Sequence, residues 1–396
     1  MIKIMAVNAG SSSLKFQLLE MPKEVVITEG IVERIGLNDA YYTIKADGKK
    51  DKQVLPVKNH AVAVNIILKD LITKGILKSL DEVGAVGHRI VHGGEKFAHS
   101  ILINEEVEKN IEDLCDLAPL HNPANLIGIR AFKEVLPQIK QVAVFDTAFH
   151  QTMAKEAFMY ATPYEWYEKY GIRKYGFHGT SHQYVAQEAA KVIGKPLEEL
   201  KLVTLHLGNG ASIAAIKNGK CIDTSMGLTP LEGIPMGTRS GNIDPAIVEV
   251  VANKENLSVS EVINILNKKS GYLGVSGVSN DSRDLESGVA NGDERCSLAL
   301  DIQYKRIADY VGSYYVLLEG IDALVFTAGI GENSPRCRSQ VMNRLKVLGV
   351  EEDVEANNVR GKTTLITAPE SKIKAYIIPT NEELVIARDT LKLISK

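Results

Sequence analysis

Twice along this chain, about 200 residues apart, an apolar strand runs into a turn of small residues and a second strand returns from it. The first copy places Ile2, Ile4 and Ala6 before the turn 8–13, and Leu14, Phe16 and Leu18 after it. The second places residues 202–206 before the turn 207–210 and residues 211–217 after it. A third strand follows each pair, at 25–32 and at 221–224. The latter is reached through Asn218-Gly219, a dipeptide suited to the left-handed positions of a hairpin turn. Each half therefore opens as an antiparallel meander. Short apolar runs at 83–86, 142–145 and 323–327 read as strands covered on both faces, as in parallel sheets. Helical spacing falls at 60–74, where Ala63, Ile67 and Leu71 share a face and Gly75 stops the helix. It recurs at 105–118 with Val107, Ile111, Leu114 and Cys115, behind Asn104 as N-cap and the first-turn acids Glu105 and Glu106. Further helices are expected at 245–267 and 295–319. A chain of 396 residues can fill two such domains. The expected fold class is α/β, duplicated, as two lobes with a cleft between them.

Composition removes several classes of function. A net charge of -3 leaves no basic excess for nucleic acid. No apolar run reaches the roughly 20 residues that cross a bilayer, and the N-terminus has no secretory pattern. Cys115, Cys221, Cys296 and Cys337 stand apart, as reduced thiols of a cytoplasmic protein do.

Three turns rich in glycine or serine follow apolar strands: 8–15 (NAGSSSLK), 206–210 (HLGNG) and 329–333 (GIGEN). Small residues let backbone N–H groups approach phosphate oxygens, and Ser11, Ser12, Ser13 and Lys15 add donors and charge. Gly361-Lys362-Thr363 does not complete a Walker A loop, because Ala356 stands where the first glycine belongs. No G-x-G-x-x-G is formed, so a nucleotide site here is of another kind. Arg89 and Arg239, both close to glycines, suit the equatorial oxygens of a phosphoryl group in transfer. Asp146 ends an apolar strand, where a carboxylate can orient a substrate or bind a metal. His178 and His182 are spaced as in a zinc motif, but Gly179 occupies the place of its glutamate. Thr180 and Gln183 read instead as a capping box, with His178 just before a helix N-terminus. Thr380 and Glu383 form a second such pair, which leaves Glu382 to face a metal and its water.

These segments resemble, in order and over essentially the whole chain, the acetokinase family. NAGSSSLKFQL at 8–18 and GFHGTSHQYV at 176–185 look like its two signatures, and GHRIVHGG, PLHNP, FDTAFH, HLGNGAS, PMGTRSG, FTAGIGENS and TNEEL recur between and beyond them. The resemblance implies two ribonuclease-H-like domains of the acetate and sugar kinase/heat-shock/actin superfamily. It places an acyl-substrate and phosphate domain at 1–150 plus 384–396 and a nucleotide domain at 151–383. It implies reversible, Mg-dependent, in-line transfer between ATP and acetate, giving acetyl phosphate and ADP, with Mn2+ able to replace Mg2+, in a homodimer. By the same likeness Asn8 and Glu382 hold the metal, and Asp146, Arg89, Arg239 and His178 are catalytic. Arg89, Val91, Leu120, His121, Phe177 and Pro230 meet the acyl substrate. Lys15, Ser11, Ser13, His206, Leu207, Gly208, Asn209, Gly210, Asp281, Ser282, Arg283, Gly329, Ile330, Gly331, Glu332 and Asn333 attend the nucleotide. Many relatives carry an aromatic residue where this chain has Ser282.

Overall fold

The computed structural model describes residues 1–46, 48–119 and 121–395. Contacts divide the chain into two units, Met1–Phe149 with Asn381–Lys396, and His150–Thr380.

The first unit is built on an eight-stranded sheet. Its strands are β1 (Ile2–Gly10), β2 (Ser13–Met21), β3 (Val25–Glu33), β4 (Tyr41–Ala46), β5 (Lys49–Val54), β6 (Val83–Ile90), β7 (Ile101–Leu102) and β8 (Lys140–Phe145). Their spatial order is β5-β4-β3-β2-β1-β6-β8-β7. The pairs from β1 to β5 are antiparallel, whereas β1, β6 and β8 run parallel. On one face Met5, Phe16, Leu18 and Val86 pack with Ile67 and Leu71 of the helix His60–Thr73 and with Phe132 of the helix Asn122–Val135. On the other, the C-terminal helix Glu382–Ile394 lies against β6, β1 and β2. Gly87 permits that approach, since a Cβ there would overlap Thr390 and Ile386.

The second unit has a six-stranded sheet of β9 (Lys201–Leu207), β10 (Ala211–Lys217), β11 (Lys220–Thr224), β12 (Ala323–Thr327), β13 (Thr364–Leu365) and β14 (Lys374–Ile377). Its order is β11-β10-β9-β12-β14-β13. The first three strands are antiparallel neighbours, and β9, β12 and β14 run parallel. The path β3-β2-β1-β6-β8 of the first unit is thus repeated strand for strand as β11-β10-β9-β12-β14.

Several local expectations change. Residues 245–267 are two helices, Ala246–Glu255 and Val259–Lys268, because Asn256 adopts the left-handed conformation and Ser258 caps the second. The GIGEN segment is the short helix Ala328–Asn333 rather than a turn. Neither threonine capping box forms. His178, at φ 57°, already occupies the N-cap of the helix Gly179–Ile193, which leaves Thr180 inside it. At the last helix Asn381 takes the cap by accepting from Leu384 N–H, and Thr380 Oγ1 meets Ser181 instead.

Candidate active site

Each unit gathers its charged and polar side chains at the ends of its parallel strands. In the first unit Arg89 sits one residue before the end of β6, and Asp146 directly follows β8. Asp146 N–H donates to Ile90 O at 2.9 Å, which ties the two strand ends together. Arg89 Nε lies 3.0 and 3.1 Å from the two Asp146 oxygens, and Nη2 lies 2.5 Å from Oδ2. Glu382, the first residue of the C-terminal helix, approaches Arg89 Nε at 3.8 Å. Burial opposes the Arg89 charge, but Asp146 and Glu382 outweigh it and raise its pKa above the ordinary guanidinium value. Glu383 is an ion-pair partner of Lys15, which stands opposite Asn8 in the β1–β2 hairpin. Ser11 and Ser12 form the hairpin turn and Ser13 begins β2. The turn is held from behind: His60 Nε2 lies 2.8 Å from Gly10 O, and Asn125 Nδ2 donates to Ala9 O at 2.8 Å. Val91 is buried, its N–H bound to Asn125 Oδ1, and His121 occupies the N-cap position of the helix Asn122–Val135. Leu120 lies outside the described residues.

In the second unit His178 and Arg239 flank Gly210. A Cβ at Gly210 would stand 3.6 Å from His178 Nε2 and 3.5 Å from Arg239 Nη1. His178 stacks on His206, centroids 4.1 Å apart, and its Nδ1 meets Ser212 Oγ at 2.8 Å. Arg239 Nη1 donates to Pro230 O at 3.2 Å and touches Met236 Sδ, so its partners are neutral. Burial accordingly lowers its pKa. Phe177 is buried, and its carbonyl accepts from His150 Nε2 at 2.9 Å.

A cavity of about 630 Å³ opens in this unit. Gly208, Asn209, Asp281, Ser282, Arg283, Gly329, Ile330 and Asn333 line it, together with Asn280, Glu286, Ser334 and Arg360. The last four escaped the sequence reading. Arg360 in particular lies in an irregular stretch that follows no apolar strand, just before Gly361. His206, Leu207, Gly210, Gly331 and Glu332 lie off the described lining. Glu332 works behind it, accepting from Ala328 N–H at 2.8 Å and Thr380 N–H at 3.1 Å. Gly331 O accepts from the buried Arg338. Lys15, Ser11 and Ser13 belong to the other unit.

Comparison with known proteins identifies the family and the fold. The profile of the Acetokinase family matches residues 3–388. The acetate kinase of Bacillus cereus (strain ZK / E33L) is 59% identical over 393 residues, 99% of each chain. The crystal structure of Porphyromonas gingivalis acetate kinase superposes with a TM-score of 0.95 at 46% identity, covering 100% of both chains. A propionate kinase from Francisella tularensis reaches a TM-score of 0.94 at 43% identity, covering 99% of this chain and 100% of its own. The duplicated sheets, the arginine–carboxylate row and the strand-end histidines are therefore those of a chain that belongs to the acetokinase family.

Proposed function

We propose that this chain holds the nucleotide in the cavity of its second unit and moves a phosphoryl group in line between ATP and acetate by charge compensation alone. The activity itself is that of the family: the chain is a kinase that phosphorylates acetate with ATP. An acetate carboxylate is already ionised at neutral pH, so the reaction needs position and cationic donors rather than a strong base. The observation that carries this reading is the pairing of His178 Nε2 and the Arg239 guanidinium beside Gly210, with no carboxylate paired to the arginine among the described residues. Those two groups stabilise the charge of the phosphoryl group in transfer. Arg89 binds the acyl carboxylate or phosphate, and Asp146 holds Arg89 in place and aligns the substrate. Val91, Leu120, His121, Phe177 and Pro230 receive the acyl group. Ser11, Ser13 and Lys15 attend phosphate, and the segments 206–210, 281–283 and 329–333 attend the nucleotide.

Mg2+ fits the first unit's donors. It keeps several waters and phosphate oxygens and takes only one or two protein oxygens. Asn8 and Glu382 are such donors, and the described residues contain no cluster of three metal-binding side chains that would cage an ion unaided. Bound there, the ion would neutralise phosphate charge, and Mn2+, which favours the same oxygen ligands, would replace it. The free cysteines favour a reducing cytoplasm. Exposed Ile247, Val250, Val259 and Ile263 favour a homodimer that covers them.

Acetate, Mg-ATP and hydroxylamine test the reading together: acetohydroxamate forms in step with ADP, whereas ADP without hydroxamate refutes it. The likeness to a propionate kinase supports propionate as a second substrate, because one methylene is worth only about 1–3 kcal/mol of discrimination. Rates with acetate, propionate and butyrate measure that preference.

A further inference from the structure

Behind His178 runs a chain of hydrogen bonds through four side chains. His178 Nδ1 lies 2.8 Å from Ser212 Oγ. The same oxygen lies 2.8 Å from His182 Nε2, and His182 Nδ1 lies 2.7 Å from Thr204 Oγ1. Ser212, His182 and Thr204 are fully buried. They come from β10, the helix Gly179–Ile193 and β9 respectively.

Such a chain has two internally consistent senses. In one, Thr204 O–H donates to His182 Nδ1, His182 Nε2–H donates to Ser212, and Ser212 O–H donates to His178 Nδ1. In the other every bond reverses, and His178 carries its hydrogen on Nδ1. Only the first sense uses the Thr204 hydroxyl hydrogen, since His182 is the sole side-chain partner of that oxygen among the described residues. The reverse leaves a fully buried O–H without an acceptor, which interiors avoid.

We propose that Thr204, His182 and Ser212 are positioning residues that fix the tautomer of His178, so that the neutral ring presents an Nε2–H beside Gly210 and Arg239. This rests on the reading of His178 as a donor to the transferred phosphoryl group. A neutral imidazole held in the opposite tautomer offers a lone pair at Nε2 and repels an anion; it could donate there only after gaining a second proton. The chain thus makes His178 a donor without requiring its charge. Burial, with His150 and His206 nearby, pushes the His182 pKa well down, so the middle of the chain stays neutral. Among the groups that face His178 are the stacked His206 on β9 and Arg239 across Gly210. The Arg239 charge disfavours a cationic His178, and a neutral donor avoids that conflict.

The test is Thr204→Val, which keeps shape and removes the hydroxyl, beside Thr204→Ser, Ser212→Ala and His178→Ala. Thr204→Val and Ser212→Ala are expected to lower kcat at pH 8 by about tenfold or more, with KM for acetate and ATP little changed. Their deficit should shrink as pH falls toward 6, because protonation supplies the missing Nε2–H. Thr204→Ser should restore the parent profile. In 15N spectra of the folded protein, His182 should lose its single tautomer in Thr204→Val, because neither sense of the chain then finds a partner for Nδ1. If His178→Ala lowers kcat while Thr204→Val keeps the parent kcat, pH profile and His182 tautomer, the chain has no positioning role. If His178→Ala leaves kcat intact, the reading of His178 itself fails.

Discussion

The two units share a strand path but treat charge in opposite ways. At the strand ends of the first, every named charge has a counter-charge: Arg89 lies against Asp146 and Glu382, and Lys15 against Glu383. Near the strand ends of the second, Arg239 meets a carbonyl and a thioether and no carboxylate among the described residues, and the neighbouring His178 and His206 each meet a hydroxyl. A balanced cluster is self-sufficient until a ligand displaces one partner. An unbalanced, partly buried cation is costly and gains most when an anion arrives. The duplication supplied the frame twice, and the side chains made one copy a balanced clamp and the other a waiting cation.

Removing the waiting cation should have the largest effect on rate and little on folding. Arg239→Ala is expected to lower kcat by about 10²–10³-fold with acetate KM nearly unchanged, the loss typical of a donor used in the transition state. Its thermal midpoint should hold or rise, because no carboxylate is orphaned. Unchanged kcat with a raised KM would reduce Arg239 to a ground-state contact and erase the contrast.

Arg89→Ala should behave the other way and destabilise the fold. It removes the arginine that pairs with the buried Asp146 carboxylate and approaches Glu382, and breaking a buried pair costs about 3 kcal/mol or more. Denaturant unfolding of Arg89→Ala and of Arg89→Ala/Asp146→Asn measures this, and the double variant should recover part of the loss. If both unfold like the parent, the row is not a balanced clamp.

How far the sequence foresaw these halves depended on how local each signal was. The opening meander, the Asn218-Gly219 hairpin and the Asn104 cap are written in neighbouring residues and form as read. β5 is not, since KKDKQV carries no apolar alternation and is mostly exposed at the sheet edge. Both threonine capping boxes satisfied a local rule and lost to tertiary partners. The site followed the same division. Arg89, Asp146 and Arg239 were marked by glycines and strand ends. The chain from His178 to Thr204 joins residues 178, 182, 204 and 212, whose adjacency exists only once β9, β10 and a helix have packed.

Buried neutral histidines occur in both units, and acid should find them in both. In the first unit His88 is fully buried, with Nε2 2.7 Å from Gln141 Oε1 and Nδ1 without a side-chain or backbone partner among the described residues. Burial lowers its pKa to about 4. A depressed folded pKa means stability that is present above the unfolded value near 6.5 and lost as pH falls toward 4. From pH 7 to pH 5 the parent should therefore lose about 2 kcal/mol more than His88→Gln, which keeps a donor for Gln141. Equal losses in urea titrations would place the acid-sensitive group elsewhere.

The smallest effect should come from the wall of the cavity proposed to hold the nucleotide, where the second unit leaves space. Ser282 begins the helix Ser282–Ala290 and lines the cavity between Asp281 and Arg283, which pair with each other. A hydroxymethyl group offers a base little apolar surface, whereas an aromatic ring would add a stacking face worth about 0.5–1.5 kcal/mol. Ser282→Phe is thus expected to lower KM for ATP by about threefold to tenfold at constant kcat, because the contact is equal in ground and transition states. The gain should shrink when the nucleotide is replaced by inorganic triphosphate, which has no base to stack. A KM for ATP that stays put would show that the base does not reach Ser282, and that the cavity grips its nucleotide through the phosphates alone.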